Sequence, residues 1–366
     1  MARSFPMIHV EGPARERGRQ YGVQAGDRIL KSIAIYEQAF AARGLSWEEV
    51  VELAGRFVPA IEAFDPDFLE ELRGIAEGSE QRLETIVALN ARTELLYWKG
   101  ESQQRKGGPS DECTGAIVLP EATSNGRLLH GQNWDWRPSC IDSAVVLRSV
   151  PERGPAFLTF TEAGLLARCG LNSAGIAVTG NFLQSDQDFG RSGVPIPFIR
   201  RKILTSMSLA EAVGVVLRSP RAFSSNHMIS DASGEAINLE AAPERVFWLY
   251  PENGLLVHSN HFKSPAAVMA LQDTGVKRYP DTLYRDRRVE QFLARRRGRI
   301  SAEDLKEAFR DHFGAPDSVC RHPAARPDGT TITTVACIVM EPASGEMWVA
   351  PGPVCENEFT KYTLQA

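Results

Sequence analysis

The chain has 366 residues and a mass of 40.3 kDa, enough to bury a large core in one domain or in a core domain with a helical appendage. Asp and Glu (46) outnumber Lys and Arg (41), and the formal charge of −5 excludes a general attraction for nucleic acid and favours a small-molecule partner. Hydrophobic residues make up 43% and charged residues 24%, as in soluble globular proteins and unlike fibrous or disordered chains.

The sequence carries no evident targeting or ligand-binding signal. Its N-terminus lacks the apolar stretch of a signal peptide, and no later run reaches the roughly 18 apolar residues of a membrane span. We therefore expect a cytoplasmic protein without membrane contact. The six cysteines lie far apart and form no C-x-x-C pair, which predicts reduced thiols and neither a metal site nor a disulfide framework. No cofactor is expected.

Helices dominate the predicted structure of the first hundred residues. Between residues 14 and 98, apolar residues recur at spacings of three and four. The motifs Ser46-x-x-Glu49 and Asp65-Pro66 are typical of helix starts. Residues 99–112 are polar, rich in Gly and interrupted by Pro, which predicts an exposed, mobile loop.

Strands dominate after this loop. They are predicted at residues 114–119, 127–134, 144–150, 156–161, 227–230, 236–241 and 245–249, with a closing hairpin of 331–340 and 346–350. Helices are predicted within 197–217, at 281–296 and after Ser301. This pattern predicts an α+β fold with helices packed on paired sheets, and with the helical first hundred residues as a separate layer or lid.

Cys113 stands where the polar loop meets the first of these strands. A cysteine attacks as thiolate and needs a base, and the nearest histidine in the sequence is His130. If the bond between Glu112 and Cys113 is cut, the freed α-amino group has a reference pKa of about 7.7 to 8.0 and can serve as this base. Attack of the thiol on the Glu112 carbonyl, an N-to-S shift and hydrolysis make the cut self-catalysed. The sequence therefore favours cleavage between Glu112 and Cys113.

The segment DECTGAIVLP, followed by GRLLHGQNWDW, resembles the acyl-coenzyme A:6-aminopenicillanic acid acyltransferases (isopenicillin N acyltransferases), which are self-cleaving N-terminal nucleophile hydrolases. It is more distantly similar to choloylglycine hydrolases and penicillin V acylases. The resemblance extends over most of the chain and includes ARERGRQYGVQAGDRI, GLNSAGIAVTGN, VHSNHF and TTITTVACIVMEPASGEMWVAPGPVCENEF. It implies a four-layer αββα sandwich. It also implies a helical N-terminal segment (1–112), released or retained as the smaller subunit of a heterodimer, and a catalytic core (113–366).

The resemblance also implies roles for individual residues beside the nucleophile. Asp135 contacts the freed amino group or orients the substrate amine, and Arg321 stabilises a thiolate or binds a substrate carboxylate. Asn260 supplies a side-chain amide and Asn181 a backbone N–H to the oxyanion. Asn and Asp are also common in turns, and Arg at the surface, so structural roles remain open. The fungal acyltransferases that the chain resembles carry Gly before the catalytic Cys, whereas this chain carries Glu112, and we therefore expect slower or pH-dependent cleavage.

Other polar residues have more than one interpretation. Asn133 is expected to be structural. The pair His258 and His261 is expected to place its rings on opposite faces of a strand, which disfavours a metal. The arginines at 285, 287, 288, 295–297 and 299 could attract coenzyme A phosphates or form a solvated helix face.

Three hypotheses follow for function. The first is a self-processing cysteine amidohydrolase that cleaves a small N-acyl compound through a thioester on Cys113, with acyl transfer from acyl-coenzyme A to a small amine as its alternative. The second is a non-catalytic binding protein that retains the fold. The third is a papain-like enzyme that uses His258, His261 or His322 on an uncleaved chain.

Overall fold

The computed structural model describes residues 4–97, 112–188, 193–326 and 329–365. The loop predicted at 99–112 therefore lies outside the described residues, with the exception of Glu112. Glu112 is buried and is the first residue of a strand, so the expectation of an exposed loop is wrong for this residue.

Helices form most of the described N-terminal segment, as predicted. The elements are β1 (Met7–Gly12), α1 (Ala14–Ala41), α2 (Trp47–Ala54), α3 (Val58–Phe64), α4 (Pro66–Gly78), α5 (Leu83–Asn90) and α6 (Arg92–Leu96). Both predicted helix starts are confirmed, because Ser46 and Glu49 form a reciprocal capping box and the Asp65 side chain accepts from the backbone N–H of Asp67. No described helix is apolar enough over a sufficient length to cross a membrane.

The core that follows is built mainly from strands. The elements are β2 (Glu112–Val118), β3 (Leu129–Trp136), β4 (Ala144–Pro151), β5 (Phe157–Glu162), β6 (Cys169–Asn172), β7 (Ile176–Thr179), α7 (Ile196–Ile203), α8 (Leu209–Arg218), β8 (Ser225–Asp231), β9 (Ala236–Ala241), β10 (Val246–Leu249), β11 (Leu255–His258), α9 (Pro265–Ala270), α10 (Thr282–Ala294), α11 (Ala302–Ala308), β12 (Ala324–Ala325), β13 (Thr331–Glu341), β14 (Glu346–Pro351) and β15 (Thr360–Thr363). Each predicted strand and helix is confirmed within a few residues. Sequence reasoning missed β1, β6, β12 and β15, because so few residues give little periodicity.

These strands form two sheets. The first has the order β1-β4-β5-β6-β7-β8-β9-β10, and the second has the order β11-β2-β3-β13-β14-β15, with β12 paired to β13. The sheets face each other, since the ring of Trp134 on β3 lies 5.9 Å from that of Phe160 on β5. On the opposite face of β5, Arg201 of α7 lies over the Phe157 ring at 4.0 Å. Apolar residues of α10 and α11 pack on the outer face of the second sheet. The fold is the expected four-layer αββα sandwich.

The N-terminal segment is part of this sandwich. Strand β1 pairs in parallel with β4 at the edge of the first sheet. A buried ion triad joins α1, α4 and α7, because Glu71 accepts from Arg17 at 2.8 Å and from Arg201 at 3.0 Å. Removal of one partner from such a triad leaves an uncompensated buried charge. The helices therefore form an integral layer and not a loosely attached lid.

Glu94 gives a pH-dependent contact between α6 and α7. Its Oε1 accepts from the backbone N–H of Ile196 at 2.9 Å, and burial raises the pKa of this carboxyl to about 7. A raised pKa means that the folded chain holds the proton more tightly than the unfolded chain. The associated stability is present below about pH 4.5 and is lost as the pH rises through about 7.

Glu94→Gln should remove this pH dependence. The comparison is made in a Cys113→Ala background, which removes the thiol expected to cut the chain. Between these pH values the protein with Glu94 should lose up to about 3 kcal/mol more unfolding free energy than the Glu94→Gln variant. Urea denaturation at several pH values measures the difference. Exposed Glu52→Gln on α2 is the control and should keep the parental slope. An unchanged slope in Glu94→Gln would contradict the assignment.

Candidate active site

The bond between Glu112 and Cys113 lies at the start of β2, in the interior of the protein. Strand β2 pairs with β11 on one side and with β3 on the other, so that Glu112 faces Asp135 and Cys113 faces Trp134 across the ladder. Because side chains alternate along a strand, Glu112 and Thr114 point towards α10, and Cys113 points towards the first sheet. Glu112 and Cys113 are both fully buried.

Gly115 explains part of the Cys-Thr-Gly motif. A Cβ at this position would meet the sulfur of Met228 at 2.6 Å and approach Asn181 Oδ1 at 3.7 Å. Only a residue without a side chain lets β2 pack this closely on β7 and β8. This close packing holds the backbone that follows Cys113 against the first sheet.

Three arginines surround the Glu112 carboxylate. Oε2 lies 2.5 Å from Arg321 Nη2 and 3.3 Å from Arg285 Nη2, and Oε1 lies 2.7 Å from Arg326 Nη2. Arg285 and Arg321 are almost completely buried. The carboxylate is thus held at Oε2 by charge-assisted hydrogen bonds from Arg321 and Arg285, and at Oε1 by the ion pair with Arg326.

Aspartates balance these arginines. Asp281 accepts from Arg285 at 2.8 Å and also contacts Arg321, while Asp317 accepts from Arg321 at 3.0 Å. Burial raises the pKa of Asp281, but attraction to Arg285 and Arg321 outweighs burial and lowers it below its ordinary value. Burial by itself lowers the pKa of Arg321, but attraction to Glu112, Asp281 and Asp135 raises it overall. Both groups are therefore charged at neutral pH.

Asn260 contacts the nitrogen of Cys113. Its Oδ1 accepts from Cys113 N at 2.8 Å and from Arg285 Nη2 at 2.9 Å, and its Nδ2 donates to the backbone oxygen of Phe182 at 2.9 Å. These partners determine the orientation of the amide. The residue lies in the site as predicted, but its oxygen and not its amide N–H faces Cys113 in the uncleaved chain.

Arg285 is a site residue that sequence reasoning missed. Its Nη1 donates to the carbonyl oxygen of Cys113 at 2.9 Å and to Thr114 Oγ1 at 2.8 Å. In the sequence it belongs to a run of arginines interpreted as coenzyme A contacts or as a solvated helix face. The signal that could have distinguished it is the spacing Asp281-x-x-x-Arg285, which places an acid and a base on the same face of a helix.

Arg287 and Arg288 of the same run are engaged elsewhere. Arg287 pairs with Glu290 at 3.1 Å, and Arg288 pairs with Asp311 at 2.6 Å. Arg287 is exposed, as expected for a solvated helix face. These ion pairs lower the positive charge available to a phosphate group.

Asp135 lies in the cluster beside Glu112. Its Oδ1 accepts from Thr334 Oγ1 at 2.7 Å, and its Oδ2 lies 3.3 Å from Arg321 Nε. Burial raises the pKa of Asp135 to about 6, although Arg321 acts in the opposite direction. A register shift between Thr334 and Ala336 bends β13 at this point, as bulges near functional sites commonly do.

Asn181 is near the site, but its expected donor is occupied. Its backbone N–H donates to the backbone oxygen of Asn226 at 3.2 Å. Its side chain donates to the His258 carbonyl oxygen at 3.3 Å and accepts from Asn226 at 3.1 Å. In the uncleaved chain the backbone N–H is therefore not available to an oxyanion, contrary to the expectation.

His258 and His261 give no support to a papain-like site. His258 is bonded through one ring nitrogen to Glu240 and through the other to the Ser259 carbonyl, and His261 is bonded to Thr282. Burial lowers the pKa of His261 to about 4. The two rings stack with centroids 6.2 Å apart, so the prediction of opposite faces is wrong, because β11 ends at His258 and the chain then turns.

Asn133 makes structural contacts, which agree with the role expected for it. Its Nδ2 donates to the carbonyl oxygens of Phe309 at 2.8 Å and Val319 at 2.9 Å. It thereby joins β3 to the end of α11 and to the segment before Arg321.

A cavity of about 710 Å³ borders the cluster. Its walls include Asp281, Asp317 and Arg326, each of which contacts Glu112 or Arg321, together with Tyr279 and Tyr284. Aromatic walls with a few charged groups are typical of small-molecule sites.

Comparison with known proteins identifies relatives. The family model described as acyl-coenzyme A:6-aminopenicillanic acid acyl-transferase matches residues 122–353. The 40 kDa form of an acyl-coenzyme A:6-aminopenicillanic-acid-acyltransferase from Emericella nidulans is 30% identical over 324 residues, covering 86% of this chain and 85% of that protein. An uncharacterized protein from Archaeoglobus fulgidus is 24% identical, covering 85% of this chain and 58% of that protein.

Solved structures were also matched. Penicillin V acylase from Agrobacterium tumefaciens has a TM-score of 0.47 at 14% identity, covering 69% of this chain and 86% of that one. The C2A mutant of conjugated bile acid hydrolase from Clostridium perfringens has a TM-score of 0.45 at 14% identity, covering 69% and 92%.

Glu112→Gln should destabilise the uncleaved chain. The substitution keeps the shape of the side chain but leaves the three guanidinium groups without their shared carboxylate, so in a Cys113→Ala background we expect a loss of about 3 kcal/mol of unfolding free energy. Chemical denaturation measures it. Glu70→Gln is the matched control, because Glu70 pairs with Arg73 at the surface and should cost less than about 1 kcal/mol. Equal losses in the two variants would contradict the inferred role of the buried carboxylate.

Proposed function

We propose that this chain, which belongs to the acyl-coenzyme A:6-aminopenicillanic acid acyl-transferase family, cleaves its own Glu112–Cys113 bond and then cleaves the amide bond of a small N-acyl compound. The observation that carries the proposal is the environment of this bond. It is fully buried at the start of a strand, and its nitrogen donates to Asn260 Oδ1 at 2.8 Å. A bond held this rigidly beside its own nucleophile is suited to an intramolecular reaction.

The cleavage follows from the atoms present. The Cys113 sulfur attacks the Glu112 carbonyl carbon, the carbon–nitrogen bond breaks, and the proton lost by the thiol passes to the nitrogen, which leaves an amine and a thioester. Water then hydrolyses the thioester, which forms a new main-chain α-carboxylate on Glu112 and restores the thiol. The new amine stays within reach of Asn260 Oδ1, which accepts a hydrogen bond from one of its N–H groups. The lone pair of the amine nitrogen is then free to act as a base.

Catalysis repeats this chemistry on a substrate. The α-amino group of Cys113 takes the proton of its own thiol, and the thiolate attacks the substrate carbonyl carbon. The amide carbon–nitrogen bond of the substrate then breaks, and the leaving amine receives that proton. The Asn260 Nδ2 group carries two N–H donors, one of which is bonded to the Phe182 carbonyl oxygen, and we propose that this amide donates to the oxyanion. Asp135 and Arg321 act as positioning residues through their mutual contact and their position beside Glu112. Water or an amine can resolve the acyl thioester on Cys113.

The two fragments should remain together after cleavage. Residues before the cut contribute β1 to the first sheet and Arg17 and Glu71 to the buried triad with Arg201. Separation would expose this edge and leave Arg201 unpaired. We therefore propose a heterodimer of fragments 1–112 and 113–366.

The substrate class follows from the group that the chain itself acylates. In the uncleaved chain, the acyl part of the scissile bond is glutamyl, a five-carbon unit that ends in a carboxylate held by Arg285, Arg321 and Arg326. When Glu112 moves away after cleavage, the guanidinium groups of these three arginines lose its carboxylate and become available to a ligand in the cavity. We propose that the acyl part of the substrate carries a carboxylate at the same distance, as in an N-glutaryl amide.

Acyl transfer is the second candidate. The relative from Emericella nidulans is named as an acyl-coenzyme A-dependent acyltransferase, which favours transfer to an amine. Against a coenzyme A site, Arg287 and Arg288 are already paired with Glu290 and Asp311. Hydrolysis is therefore the first expectation. The ratio of hydrolysed to transferred product in the presence of a primary amine measures it.

Purified protein should consist of two fragments of roughly 12 and 28 kDa, by division of the 40.3 kDa mass at residue 112. N-terminal sequencing of the larger fragment should begin Cys-Thr-Gly. Cys113→Ala should remain one inactive chain, because it lacks the attacking sulfur, and Cys113→Ser should retain some cleavage. Cys169→Ala, at a buried cysteine of β6, is the control and should cleave normally. A fully active protein made of one unbroken chain would end the proposal.

We compare two amides of the same amine, one with an N-glutaryl group and one with an N-pentanoyl group, which lacks the carboxylate. The cleaved enzyme should release the amine faster from the N-glutaryl amide. Arg326→Gln should lower kcat/KM for the glutaryl amide by about tenfold or more, since a hydrogen bond to a charged group is lost, and should leave the pentanoyl amide nearly unchanged. Arg278→Gln is the matched control, because Arg278 lines the same cavity and packs on Tyr279. Similar losses on both substrates in Arg326→Gln would overturn the anionic-acyl assignment.

A further inference from the structure

Four ligand-type side chains meet on the side of the second sheet that carries α10 and α11. They are His312, Cys320, His322 and Cys355, and one ligand atom from each lies within 4.8 Å of every other. The two histidines are exposed, Cys355 is half-buried and Cys320 is buried, so the cluster is accessible from solvent. The mechanism proposed above uses none of these four side chains.

We propose that this cluster binds one zinc ion as a Cys₂His₂ site. Nitrogen ligands about 2.0 to 2.1 Å from a tetrahedral zinc ion lie about 3.3 Å apart, and a nitrogen and a sulfur lie about 3.5 Å apart. His312 Nε2 and His322 Nε2 are separated by 3.3 Å, and His322 Nε2 and Cys355 Sγ by 3.2 Å. The spacing is thus close to that required for a shared metal.

Direct hydrogen bonds from His322 to His312 and Cys355 explain the two short distances less well than a shared metal ion does. His322 Nδ1 lies 3.4 Å from Glu356 Oε1, and a carboxylate at this nitrogen favours the tautomer with the proton on Nδ1. Nε2 then has a single lone pair, which cannot accept from both His312 and Cys355. A cation at the centre satisfies all four ligands. A carboxylate that orients a ligating imidazole is also a common outer contact of zinc sites.

The charge balance favours zinc over harder cations. Two thiols lose their protons when the metal binds, and two thiolates neutralise a divalent cation. Thiolate and imidazole ligands select zinc-like ions, whereas magnesium and calcium prefer oxygen.

The position of this site gives it a structural role. Cys320 and His322 flank Arg321, whose guanidinium holds Glu112 and Asp135. Cys355 lies in the short turn Val354–Glu356 that follows β14. A metal would tie this turn to the segment that carries Arg321. The sequence predicted no metal site because its cysteines form no C-x-x-C pair, and the fold brings the four ligands together from three separate segments.

Metal analysis of full-length protein free of any affinity tag tests the proposal. Wild type and Cys113→Ala should each contain about one zinc per chain, and Cys355→Ser and His312→Gln should lose it. Cobalt substitution should give the visible bands of a tetrahedral thiolate site in the wild type, and the two ligand variants should lack these bands. His9→Gln and Cys169→Ala remove the same residue types outside the cluster and should retain the metal. Because the Cys113→Ala chain is included, the result does not depend on cleavage.

A second measurement applies if the variants fold poorly. In the wild type, a chelator should increase alkylation of Cys320 and Cys355, mapped by mass spectrometry, and should lower the melting temperature by several degrees. Absence of metal after dialysis against zinc would overturn the proposal, as would zinc retained in both ligand variants or a Cys320–Cys355 disulfide in the native protein.

Discussion

The ion cluster around Glu112 is the contact on which the rest of the site depends. A fully buried carboxylate is stable only if its charge is compensated, and here Arg285, Arg321 and Arg326 supply that compensation. The same guanidinium groups contact Asp281 and Asp135, and through them α10 and β3 are held at a defined distance from the start of β2. The residue immediately before the proposed nucleophile, Cys113, therefore organises the layer around it.

This arrangement gives a physical account of Glu112 at a position where the resemblance to the fungal acyltransferases leads one to expect Gly. A Gly provides backbone freedom, whereas Glu112 provides a charged anchor that immobilises the bond on its carbonyl side. Asn260 immobilises the same bond on its nitrogen side. If Glu112 leaves after cleavage, an anchoring pocket remains that a substrate acyl group can occupy. Self-processing and substrate selection would then depend on one set of arginines.

The two halves of the chain are interdependent for a similar reason. The triad of Arg17, Glu71 and Arg201 and the pairing of β1 with β4 place residues from before the proposed cut in the interior of the sandwich. The proposed zinc site ties the last segments of the chain to Arg321 in the same way. Charge compensation across sequence-distant segments thus recurs in this protein, and in each case one segment alone would leave buried charge or unsatisfied ligands.

The sequence by itself determined the α+β class, the helices of the N-terminal segment, the strand that follows Cys113 and the candidates Cys113, Asp135, Asn260 and Arg321, because periodicity, capping motifs and the family resemblance are local signals. Only the tertiary structure decided that Glu112 is buried, that Arg285 belongs to the site, that the Asn181 N–H is occupied and that Cys320 and Cys355 are neighbours. Each of these facts depends on contacts between residues far apart in the chain. Spacing along one segment cannot reveal which distant charge or ligand will be packed against it.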